Sequence, residues 1–107
     1  MKENYEELAS MINKDLDTSS EGMLIHTEGV DQNMLKIKLT EVIGHLLETD
    51  FEKLCNAMYR LDISEHKFHK VLTEKPKAEV AASLADLVIE REWQKVRTRR
   101  LYKDGKL

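Results

Sequence analysis

The sequence predicts an all-α protein, a four- or five-helix bundle with a long C-terminal helix. Three observations lead there. Gly (4) and Pro (1) are scarce in 107 residues, too few breakers for the many turns of an all-β domain. Apolar residues make up 41% and charged residues 35%, which separates the chain from a disordered polymer and supplies one core. Apolar side chains also recur at three- and four-residue spacing through most of the chain. The length fits a single helical domain over 1–107.

The elements follow in order. Residues 3–16 form the first expected helix, with Leu8, Met11, Ile12 and Leu16 at helical spacing. Asp17-Thr18-Ser19-Ser20-Glu21-Gly22 breaks the pattern, and 17–32 reads as an irregular loop, partly ordered if Met23 to Ile25 pin it to the core. A second helix runs from about Asp31 to Glu48, with Leu35, Leu39, Val42, Ile43, Leu46 and Leu47 on one face and Glu41, His45 and Glu48 on the other. Thr49-Asp50 marks a break and a new N-cap. The third helix, Phe51 to Arg60, carries an apolar stripe of Phe51, Leu54, Cys55 and Met58. Leu61-Asp62-Ile63 is a connector, and Ser64 caps a fourth helix that buries Phe68, Val71 and Leu72. Lys75-Pro76 ends it, because the residue before a proline is pushed out of the helical region.

The last helix, Lys77 to about Leu101, has two apolar stripes. Val80, Leu84, Leu87 and Val88 form one. Ala82, Ala85, Ile89, Trp93 and Val96 form another on nearly the opposite side. A peripheral helix needs one apolar face, so the second predicts a partner chain, either another protein or an identical copy. The expected partner-binding residues are Ile89, Trp93 and Val96, with Arg97 and Arg100 as a polar rim. The competing arrangement is a central helix covered on both sides, with the first helix on the second stripe.

Charge and composition narrow the function. The net charge is −3, unevenly spread: residues 1–90 carry 10 Lys/Arg and 18 Asp/Glu, whereas the basic end, 91–107, carries 7 and 2. Cations suit a helix C-terminus, and the same end can dock an acidic partner. The N-terminal residues lack the apolar core of a secretory signal, and the longest apolar run is three residues, so no membrane span is expected. Cys55 stands alone, which removes a disulfide framework or thiolate zinc site and leaves a small core residue. A cytoplasmic protein without cofactor or metal is the expectation.

The segment Leu47-Glu48-Thr49-Asp50-Phe51 with Ala57-Met58-Tyr59-Arg60-Leu61-Asp62-Ile63-Ser64-Glu65 resembles a small uncharacterised bacterial family of short helical proteins with a "TDF…YRIDVSE" core. Ala85-Asp86-Leu87-Val88-Ile89-Glu90-Arg91 is similar to their C-terminal part. The resemblance implies a standalone helical protein and no particular activity.

The remaining motifs are sparse. His66 and His69 lie three apart on one helix, the spacing of two metal ligands, yet on the polar side and without a third ligand. There is no nucleophile elbow and no Gly-rich phosphate loop, so an enzyme is not expected. Residues 51–73 have the parts of a helix-turn-helix, with Asp62 where Gly is usual. The second of those helices offers His66, Lys67, His69 and Lys70 but no Arg, Asn or Gln, the usual readers of bases. The sequence therefore predicts a small protein-interaction domain, adaptor or regulatory, that can self-associate through its last helix. A DNA-binding regulator is the alternative.

Overall fold

Helices start and stop where a side chain or a turn can satisfy their free backbone groups. The computed structural model describes residues 4–17 and 24–103. Five helices run through them: α1 (Tyr5–Leu16), α2 (Gln32–Thr49), α3 (Phe51–Arg60), α4 (Glu65–Glu74) and α5 (Lys77–Lys103). Asn4, Asp31, Asp50 and Ser64 cap the first four, each side chain accepting from the backbone N–H three residues on. Asp50 serves twice, since its own N–H closes α2 onto the Leu46 carbonyl at 2.9 Å. Lys75 is extended (ψ 146°) before Pro76, and α5 begins directly after. The fold class and the expected helices are those read from the sequence, with boundaries moved by two residues at most.

The stretch expected as an irregular loop is, over 24–31, a strap laid back along α1; residues 18–23 lie outside the described part. The Asn13 amide donates to the Ile25 carbonyl, and its oxygen accepts from the Ile25 N–H, both at 2.8 Å. Two turns earlier on α1, Glu6 accepts from the Gly29 N–H at 3.2 Å. Gly29 has φ +72°, a left-handed turn that suits glycine. Ile25 and Val30 enter the core, whereas Leu24 stays exposed.

The core is contributed by α1, the strap, α2, α3 and α5. Its spine is one row on α5: Val80, Leu84, Val88, Glu92 and Val96, with Ala85 beside it, all buried. Residues four apart on an α-helix are about 40° out of line, so this row turns by about 160° around α5. Its first half faces α2, where Lys36 pairs with Asp86 and Gly44 lies beside Ala81. Its second half faces α1, where Tyr5 meets Trp93 edge-on with ring centroids 5.3 Å apart. The two opposed stripes expected from the sequence are therefore the two ends of one winding row. The patch expected to stand open at Ile89, Trp93 and Val96 is largely closed: Val96 is fully buried, Trp93 meets Tyr5 of α1, and Ile89 is half-buried.

The fourth helix also departs from expectation. None of its residues is buried, and Phe68, Val71 and Leu72 are only half-covered. α4 rests mainly on α5, with Phe68 stacked on the 44%-exposed Phe51 at 6.2 Å. Cys55, expected in the core, is half-buried at its edge.

Two substitutions test this packing. Asn13→Ala leaves both Ile25 backbone groups without their partner and should cost about 1–3 kcal/mol in urea unfolding; an unchanged midpoint would mean that the strap is not held there. Gly44→Ala places a Cβ 3.8 Å from that of Ala81, an ordinary contact. With its better helix propensity it should add about 0.5–1 kcal/mol. A loss would show that α2 and α5 approach more closely.

Candidate functional site

A carboxyl group buried where apolar side chains are expected is the most unusual chemistry in the fold. Glu92 occupies the fourth place of the α5 row and has no solvent exposure. Taken as an ionised, acceptor-only group, its carboxylate finds no hydrogen-bond donor among the described residues. The polar side chain beside it is Asp15 of α1, itself an acceptor when ionised. The pair can hydrogen-bond only if one member keeps its proton. Burial, then the Asp15 carboxylate, push Glu92 up to about 8, against the opposing pull of Lys95 and Arg91. Burial also works to raise Asp15. The hydrogen bond from Glu92 and the Lys95 ammonium outweigh it, with help from Lys14, and hold Asp15 below its usual range. Glu92 is thus the neutral donor and Asp15 the ionised acceptor, bridged to Lys95 Nζ at 3.4 Å.

Two carboxyl groups with values pushed apart are the arrangement of an acid–base pair. Here the protonated member has no solvent exposure. Asp15 does line a groove of about 380 Å³ with Glu7, Ser10, Met11, Lys14, Lys95 and Arg99. Its carboxylate is engaged by Lys95 and Glu92, which ties α1 to α5.

The expected partner-binding residues divide. Val96 belongs to the core and Trp93 to the contact with Tyr5. Ile89 borders a shallow hollow with Asp31, Gln32, Asn33, Lys36 and Asp86. Arg100 donates to Glu7 at 3.1 Å and so fastens α1 rather than forming a rim. Arg97 is exposed. Residues 104–107 of the basic end lie outside the described part.

His66 and His69 are exposed, and among the described residues no three His, Cys, Asp or Glu side chains converge as metal ligands. The α3–α4 corner has Asp62 in the left-handed region at φ +60°, the place where Gly is usual. Arg91 ties that corner to α5: its Nε donates to the Leu61 carbonyl at 2.9 Å, and its guanidinium lies 3.6 Å from Asp62.

Sequence reading missed Glu92 and the furrow beyond it. Between α4 and α5 runs an apolar depression of about 350 Å³, floored by Val71 and Leu87 and edged by Lys67, Lys70, Glu74 and Lys75. It adjoins a second of about 370 Å³ that shares Lys67 and Leu87 and reaches Ile63, Arg91 and Gln94. The half-filled apolar face of α4 is the signal: it packs mainly on α5, with Phe68 reaching Phe51 of α3, and Phe68, Val71 and Leu72 stay half-covered.

The carboxyl pair has a pH signature. Glu92 has a folded value near 8, above its unfolded value near 4.5. Its favourable contribution is complete below the unfolded value and is lost as pH rises toward and through the folded one. Asp15, held low, contributes above its usual range, and that share is lost on acidification. Glu92→Gln keeps the shape and a donor to Asp15 but cannot ionise. It should match the wild type near pH 4 and exceed it by about 3–5 kcal/mol at pH 9 in urea unfolding. Parallel curves for the two proteins would contradict a neutral Glu92.

No helix among the described residues is long and apolar enough to cross a membrane. No protein-family model, no curated protein and no solved structure matches the chain.

Proposed function

We propose that the chain is a small protein-interaction domain of the cytoplasm, an adaptor or regulatory protein, that works through the α4–α5 furrow. The observation that carries this reading is that α4 buries none of its residues and leaves an apolar floor, Val71 and Leu87, half-covered beside well-packed helices. Helix faces left open in this way are where partner helices lie in known modes of recognition. The sealed position of Glu92 supports a structural rather than a catalytic use of the one perturbed carboxyl pair among the described residues. Self-association through α5 is the weaker form of the proposal, because Val96 is buried and Trp93 is taken up by Tyr5 of α1. DNA binding by residues 51–73 has little support in α4, whose exposed side chains include two carboxylates, Glu65 and Glu74, beside the histidines and lysines.

A photo-reactive residue placed at Val71, and as a control at Lys38 on the exposed side of α2, tests this reading in cells. Discrete adducts from position 71 and none from 38 are expected. An adduct of twice the chain's mass would identify a second copy as the partner. Adducts from neither position, or from both alike, would remove the furrow as an interaction surface.

A further inference from the structure

We infer that the α4–α5 furrow takes an acidic amphipathic helix from a partner protein, an inference that rests on the proposed interaction role and names the occupant. The floor sets the apolar half of the match. Val71 from α4 and Leu87 from α5 are half-buried, and the depression of about 350 Å³ has room for one or two large apolar side chains. The adjoining depression, with Ile63 at its floor, extends the track toward the α3–α4 corner. α4 has 10 residues and is therefore about 15 Å long. That length faces two to three turns of a partner helix, whose apolar anchors recur at three- and four-residue spacing.

The rim sets the charge. Lys67, Lys70 and Lys75 stand along the α4 side of the furrow, all exposed. Among the described residues none of the three ammonium groups has a carboxylate within 4 Å, whereas Lys36, Lys38 and Lys95 each have one. Three unpaired cations bordering an apolar track, in a chain of net charge −3, select carboxylates flanking the partner's apolar ridge. Glu74 lines the apolar depression and Asp62 and Glu90 line the adjoining one, so the partner's carboxylates belong opposite the three lysines rather than at either end of the track. A strand is a poorer occupant, because the described residues form no sheet edge that it could extend.

The test is a nuclear magnetic resonance titration of the full chain with two synthetic helical peptides of about 15 residues. Both carry leucines at the anchor spacing; one is flanked by Glu and the other by Lys. The Glu peptide should shift the amides of Lys67, Val71 and Leu87 saturably and bind roughly tenfold more tightly than the Lys peptide, with affinity falling as salt is added. Lys67→Glu/Lys70→Glu/Lys75→Glu should reverse that preference with an unchanged circular dichroism spectrum, and the single Lys70→Glu should weaken it in the same direction. Equal binding of both peptides would overturn the acidic occupant and leave the interaction role standing. Saturable shifts confined to other helices, no shifts with either peptide, or tighter binding of a single-stranded oligonucleotide would also overturn it. The interaction role itself is decided separately by the adducts at position 71.

Discussion

The α5 row Val80-Leu84-Val88-Glu92-Val96 is the constraint on which the other helices depend. Because it winds by about 160° along the helix, α5 cannot be buried by one neighbour. α2 takes its first half and α1 its second, and the strap between them must return along α1 to bring α2 into place. At the fourth place the row holds a carboxyl group instead of a methyl-bearing side chain. An ionised, unpaired carboxylate there would be far costlier than a polar group that keeps its proton. Sharing that proton with Asp15 makes the position tolerable and sets α1 against α5 at a definite register.

The ends of the molecule are held in different ways. α1 is fastened by several specific ties: Tyr5 on Trp93, Glu7 with Arg100, Asp15 with Lys95, and Asn13 on the strap. Leu8, Ala9, Ile12 and Leu16 lie buried beneath them. α4 has no buried residue, and Arg91 instead anchors the corner that precedes it. Opening free energy is lowest where buried apolar contacts are fewest, which places α4 and its furrow at the adaptable end of the fold. That end suits the proposed interaction role better than the α1–α5 seam does.

Much of this architecture was legible in local chemistry. Asp31, Asp50, Ser64 and Pro76 announce helix ends because capping and proline geometry act within three or four residues. The apolar faces of α1 and α2 follow from helical spacing alone. The strap did not, since the bond between Asn13 and Ile25 joins residues that no local pattern connects. The winding row was misread as two faces: residues four apart drift slowly, and Glu92 interrupts an otherwise apolar series. With Glu92 restored to the row, Val96 is the far end of one winding series that begins at Val80 rather than part of a separate face. The furrow was hidden for a related reason. Phe68, Val71 and Leu72 have the spacing of a buried face, and spacing does not reveal how many neighbours arrive to cover it.

The protonation state of Glu92 is the most direct measure of this account. The carbon-13 shift of its side-chain carboxyl carbon, followed from acid to alkaline pH in the folded protein, reports that proton at the atom concerned. A neutral Glu92 held against Asp15 predicts a midpoint near 8, with Asp15 titrating below the usual carboxylate range. A Glu92 midpoint near the ordinary 4.5 would show an ionised, solvated side chain and would contradict the buried row as the joint between α1 and α5.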